Sequence, residues 1–428
     1  MPSRIIRMLS LGGAFLVTAI IATPSQAMPS FARQVGKACS TCHFQHYPTL
    51  NEYGRDFKAS GYTDMGKQRT VKGKDLSLPE VLNLSVFTKV RYLKDNGADV
   101  AGTPTRASGE WNVPDELSLL SGGRIAENVG YLLELQLANA SAATVAGFKM
   151  PFMFKAGETK LGVIPYTTDA LGAAYGFELL ATGAVRNSKV MESRVESSAQ
   201  QYINTATPAV GVAFVATNPM YFANFSKWSP NHGASANGLS SRSPTSNYLR
   251  AAFTPTVGDW ELAAGFQSWS GTSDQVDSTN IAKAFQTKAF SIDAQAQGTI
   301  GNLPLGVYFA SASAPGTPVG EVANLFNANP NKSRATTLTG ELGVIPNKLT
   351  LMLSHRIANT GAAVNATDNA TTFGIRYAYA QNIGLQLEHS TRSKAAGVGR
   401  YDGSLTPGDA RTIPLPSTTG QSQPAKPA

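Results

Sequence analysis

From residue 80 onward, apolar and polar side chains alternate with a period of two. In 82–92 one parity holds Leu82, Leu84, Val86, Thr88, Val90 and Tyr92, and the other Asn83, Ser85, Phe87, Lys89 and Arg91. Tyr131, Leu133, Leu135 and Leu137 alternate with Leu132, Glu134 and Gln136. Phe290, Ile292, Ala294 and Ala296 alternate with Ser291, Asp293, Gln295 and Gln297, and Phe373, Ile375, Tyr377 and Tyr379 with Thr372, Gly374, Arg376 and Ala378. This period puts neighbours on opposite faces, so the runs predict strands with one apolar and one mostly polar face. Short connections are expected at 126–129, 255–259, 299–304, 344–347 and 381–382, and long loops at 94–115, 231–246, 270–282 and 358–370. Short turns at one end and long loops at the other are the asymmetry of an outer-membrane barrel. A soluble sandwich would show more uniform loops and a less polar second face.

Residues 80–392 are assigned to that barrel. At roughly 10 residues per strand, about sixteen strands leave roughly ten residues per connection. Twenty-two would leave about four or five, too few for the visible loops, and eight would leave too much loop. The fold expected is mostly β: an about 16-stranded, porin-like transmembrane barrel. Composition agrees, since 42% of the 428 residues are hydrophobic and only 15% charged, against about 25% charged in soluble domains. Past residue 27 no apolar run approaches the roughly 20 residues of a spanning helix.

The first 27 residues read as a secretory signal peptide. Arg4 and Arg7 precede an apolar stretch over 9–22, and Ser25 and Ala27 are the small residues before the cleavage point. The exported chain is expected to start at Met28. At the other end, 393–428 is a Pro-, Ser- and Thr-rich tail whose composition predicts disorder.

Charge singles out the segment between leader and barrel. Residues 28–75 carry eight Lys and Arg against four acids. The only two cysteines lie in this basic head, 28–79, in the run Cys39-Ser40-Thr41-Cys42-His43. A C-x-x-C-H motif attaches c-type haem: both thiols form thioethers to the ring edge and the histidine reaches the iron. One covalently bound haem c is therefore expected on Cys39, Cys42 and His43. A zinc site would need a second ligand pair, and His46 adds only a crowded fourth donor. A redox C-x-x-C lacks a surrounding βαβ pattern.

The sixth iron ligand is open. Met65, 22 residues beyond His43, is the nearest downstream thioether and is the metal-ligand candidate beside His43; its plain alternative is packing or a loop position. His46, or an open site, is the other reading. His232, His355 and His389 are scattered and expected in the lumen or loops. No Walker glycine loop, H-E-x-x-H or EF-hand loop occurs. The concentrated charge suits haem carboxylates or an acidic electron-transfer partner, and no nucleic-acid role is expected.

Pro29-Ser30-Phe31-Ala32-Arg33-Gln34, the haem motif, Pro48, Leu50, Gly54-Arg55, Phe57-Lys58 and Gly61-Tyr62-Thr63 resemble the fused monohaem cytochrome–porin family of iron-oxidising bacteria. The match covers roughly residues 28–64; Gly122-Gly123-Arg124-Ile125 and 169–187 are also similar. The resemblance implies an outer-membrane porin of about sixteen strands with the haem segment in or under its pore. It implies oxidation of extracellular Fe(II) and transfer of electrons to a periplasmic c-type cytochrome or similar acceptor. Asp95 and Asp99 in the first long loop are candidates to attract iron, against the plainer reading of solvated loop acids. The long tail departs from barrels that end on a terminal aromatic. Two other readings are a solute porin with a structural or regulatory haem, and a soluble periplasmic electron-transfer cytochrome.

Overall fold

The computed structural model describes residues 29–66, 68–74, 77–94, 109–138, 145–184, 194–232, 243–276, 282–364, 366–380 and 382–394. The leader with its Met28 boundary, Asp95, Asp99 and the tail from 395 lie outside them. The head contains α1 (Pro29–Val35), a 3-10 turn (Cys39–Thr41), α2 (Glu52–Ala59) and the small hairpin β1 (Thr70–Lys72) and β2 (Ser77–Pro79).

The wall follows in chain order: β3 (Leu84–Leu93), β4 (Glu110–Ala126), β5 (Val129–Gln136), β6 (Val145–Lys149), β7 (Phe152–Ala156), β8 (Thr159–Thr168), β9 (Ala209–Asn218) and β10 (Tyr221–Ser229). It continues with β11 (Ser246–Phe253), β12 (Thr256–Val257), β13 (Trp260–Ser270), β14 (Thr272–Val276), β15 (Ala282–Gln286), β16 (Ala289–Ile300) and β17 (Leu303–Ala314). The last are β18 (Ser333–Ile345), β19 (Leu349–Asn359), β20 (Asn369–Ala380) and β21 (Ile383–Lys394). All except the head hairpin and β14–β15 close into one barrel in which β21 adjoins β3. β6 and β7 are halves of one strand between β5 and β8, and β11 and β12 both pair with β13. Counted so, fifteen strands span the wall among the described residues.

Alternation sets the orientation of the wall. Leu84, Val86, Val90 and Tyr92 are exposed while Asn83 and Ser85 are buried. Phe290 and Ile292 face outward, whereas Ser291, Asp293, Gln295 and Gln297 face in. The outer face therefore carries apolar side chains all round, including Trp111, Phe214, Phe253, Leu338, Leu353, Ile357 and Leu387. The expected short connections at 126–129, 255–259, 299–304 and 344–347 are tight turns, and Gly258, Gly301, Asn347 and Asn382 take the positive φ that favours glycine and asparagine.

Two expected loops are partly structured. Residues 110–115 continue β4, where Asn112 and Trp111 pair with Arg91 and Tyr92. Residues 272–276 and 282–286 form the separate hairpin β14–β15. Long connections conceal strand when the tip, rather than the whole stretch, is Gly- and Ser-rich.

The lumen is filled. Between β8 and β9 the chain turns inward through a 3-10 turn (Ala173–Tyr175), α3 (Arg194–Ser197) and α4 (Ala199–Tyr202). Phe177, Leu179, Leu180, Ala199 and Ile203 pack with inward Phe222, Trp228, Tyr248 and Trp269, and with Phe326 from the β17–β18 connection. Two buried arginines tie this segment to the wall. Arg250 pairs with Glu178 at 3.0 Å and Asp293 at 2.6 Å, and Arg356 with Glu196 at 2.7 Å and Asp368 at 3.0 Å.

The head occupies the short-turn end. Its apolar knot is Phe31, Val35, Phe57 and Tyr62. Gln34 joins Tyr62 to Asn83, donating to the Tyr62 carbonyl at 2.7 Å and accepting from Asn83 Nδ2 at 2.9 Å. Arg124 donates to the Thr63 carbonyl, Lys160 pairs with Asp56, and Arg55 with Glu261. Each of these wall residues lies within a few positions of a tight turn.

Candidate functional site

The site begins where α1 ends. Gly36 leaves the helix at φ 66, and three residues later the 3-10 turn brings Cys39, Cys42 and His43 together. Cys42 and His43 N–H both donate to the Cys39 carbonyl, at 3.1 and 3.0 Å. The cysteines are not joined in a disulfide. Burial, and the neighbouring Cys39, push the Cys42 thiol up, so it stays protonated.

Asn51 fixes the turn from the other side. Its backbone N–H donates to the Cys42 carbonyl at 3.1 Å and its Nδ2 to the Thr41 carbonyl at 3.1 Å. Its Oδ1 accepts from Gly54 N–H at 3.0 Å and so caps α2. Gly54 is required by proximity, because a Cβ there would lie 2.0 Å from the Cys42 carbonyl oxygen.

His43 Nδ1 donates to the Thr49 carbonyl at 3.2 Å. That bond selects the tautomer with a lone pair on Nε2, the nitrogen a metal would take. Burial depresses the ring to about 4, the Thr49 carbonyl opposing the shift in part, so imidazole is neutral at ordinary pH. Two thiols on one turn and an oriented neutral imidazole fit covalent haem: Cys39 and Cys42 would hold the ring edge and His43 Nε2 the iron.

His46 is differently engaged. Its Nε2 meets Glu341 Oε2 at 3.0 Å, both side chains fully buried, and its Nδ1 lies 3.0 Å from the Tyr47 carbonyl. With both nitrogens bonded, His46 docks the head rather than reaching for iron. Met65 is half-buried beside the end of α1. The Asp64 carbonyl before it accepts from Gln34 at 2.8 Å, and Gly66 N–H after it donates to the Gln34 carbonyl at 3.0 Å.

The remaining histidines divide. His232 sits at the start of a loop beside Thr167. His355 and His389 face outward from the wall and not into the lumen, because they share the parity of Leu353, Ile357 and Phe373. Among the described residues no three His, Cys, Asp or Glu side chains gather as a metal-ion site.

Sequence reasoning missed Glu341, which lies 295 residues from His46 and carries no local signal. Asn51 followed by Gly54 was a readable cap, and Arg376 stood on the polar parity of β20.

No protein-family model matches the chain, and no curated protein does. Among solved structures it is similar to the outer-membrane protein OmpT of Vibrio cholerae, with 11% identity and a TM-score of 0.40, covering 76% of this chain and 89% of that one. The anion-selective porin of Comamonas acidovorans gives 13% identity and 0.42, covering 74% and 94%. The outer-membrane channel DcaP of Acinetobacter baumannii gives 10% and 0.41, covering 78% and 96%. Likenesses this distant say nothing of what the protein does. The wall itself decides the compartment: a closed barrel leaves no unpaired edge in lipid, and its exposed outer face is apolar. The chain is an outer-membrane β-barrel protein.

Proposed function

We propose that this barrel carries one haem c on its head, oxidises extracellular Fe(II), and passes the electrons to a periplasmic c-type cytochrome or similar acceptor. The observation that carries the haem is the 39–43 turn, with two unbridged thiols and His43 oriented through Nδ1. Cys39, Cys42 and His43 would hold the haem, which would supply one-electron chemistry between Fe(II), converted to Fe(III), and the acceptor. The chain's own residues do the rest. Asn51 and Gly54 hold the attachment turn, and His46 and Glu341 seat it in the barrel. Fe(II) as donor rests on the family resemblance of residues 28–64. Met65 as sixth ligand, and about sixteen strands against the fifteen among the described residues, belong to the same reading.

The test is a titration of the detergent-purified protein with Fe(II) at the organism's working pH, read in the haem absorption bands. Haem should remain on the denatured polypeptide, Fe(II) should reduce it, and Cys42→Ala and His43→Ala should abolish the response. Reduction by an organic donor of comparable strength but not by Fe(II) would make this a cytochrome with another substrate. A solute porin is the second reading, favoured by the barrel wall, and a large steady conductance in planar bilayers would support it.

A further inference from the structure

Arg250 and Arg356 show what a guanidinium inside this barrel requires, since each is fully buried between two carboxylates. Arg376 has no such pair. It projects inward from β20, on the parity of buried Thr372, Gly374 and Ala378, and is half-buried. Among the described residues no carboxylate lies within ion-pair distance of it. The carboxylate whose field reaches it, Glu341, is bound to His46 at 3.0 Å and accepts from the Tyr308 hydroxyl. An unpaired charge partly withdrawn from water carries a cost that an anionic partner would remove.

Its place says which anion. Arg376 is the register partner of Thr350, whose hydroxyl donates to Gln45 Oε1, and Gln45 lies two residues beyond His43. We infer that Arg376 is a positioning residue that binds a carboxylate of the haem held by His43, fixing its orientation and raising its potential. The inference rests on the haem reading above. Arginine suits the role because its planar fork grips a carboxylate through two parallel N–H bonds.

The experiment is a redox titration of the detergent-purified protein at several pH values, read in the haem bands, for wild type, Arg376→Gln and Arg376→Lys. Haem staining of denatured gels runs alongside. A unit charge about 10 Å away at an effective dielectric near 20 changes an equilibrium about tenfold. Arg376→Gln should thus favour the oxidised haem about tenfold, a fall of about 59 mV for one electron. The freed carboxylate should also titrate, so that the variant's potential rises as pH falls through the acid range while the wild type stays flat. Arg376→Lys should restore most of both properties. A haem-bearing Gln variant with wild-type potential and pH profile overturns the inference while leaving the haem reading intact. A wild type that carries no haem overturns both. If the Gln variant loses the gel shift of a folded barrel, Arg376→His is read instead: its potential must step down as the imidazole loses its proton, and a flat profile is fatal.

Discussion

Gly54 shows how little room surrounds the attachment turn. Alanine is the better helix former by about 1 kcal/mol, yet its methyl would sit 2.0 Å from a backbone oxygen that cannot rotate away. The clash must separate α2 from the Cys42 turn, and Asn51 loses its grip with it. Gly54→Ala should therefore leave the barrel folded while haem staining of denatured gels falls severalfold. Glu52→Gln, on the exposed first turn of the same helix, should stain like wild type. Equal staining of both variants would detach Gly54 from haem assembly. Single residues were legible in proportion to how local their task is. Cys39, Cys42 and His43 act as one contiguous motif and could be read from the chain. Glu341 meets His46 from 295 residues away and Arg376 lies farther still along the chain, and only closure of the wall brings them to the head.

Elements were legible where one face meets water or lipid and the other does not. The strands 82–92, 290–297 and 372–379 and their Gly- or Asn-bearing turns follow from that contrast. The inward segment between β8 and β9 did not, because a piece packed on all sides has no periodic face. Head docking was equally hidden, although the Gly122-Gly123 run stands out in the chain. A Cβ on Gly122 would press Phe31 at 2.9 Å, and one on Gly130 would lie 1.9 Å from the Gly61 carbonyl oxygen. Glycine in this hairpin thus admits the head rather than shaping the strand. Gly130→Ala should loosen docking. A loss of about 1.4 kcal/mol would raise protease cleavage of the head about tenfold when opening is fast. The readout is limited proteolysis in detergent, with unchanged heat-dependent gel migration reporting an intact barrel. Wild-type cleavage rates would mean that the head is held mainly by Arg55, Lys160 and the His46–Glu341 pair.

At the scale of the whole molecule, an apolar outer wall surrounds an interior that is itself packed. Trp228, Tyr248 and Phe326 have no accessible surface although they lie within the ring. A pore that passes solutes keeps a hydrated path, whereas this one is occupied by the head at the short-turn end and by the inward segment above it. That arrangement suits electron transfer, which needs proximity and a dry surround rather than an opening. The segment is anchored by Arg250 and Arg356, and removing one partner of a buried ion pair costs about 3–5 kcal/mol. Wild-type protein in planar bilayers should show little steady ion conductance, and Arg250→Gln combined with Arg356→Gln should raise it by releasing Glu178 and Glu196 with their segment. Both proteins should keep the heat-dependent migration of a folded barrel. A high conductance in the wild type that the double variant leaves unchanged would mean that an open path bypasses the packed core, and the barrel would then be a channel first.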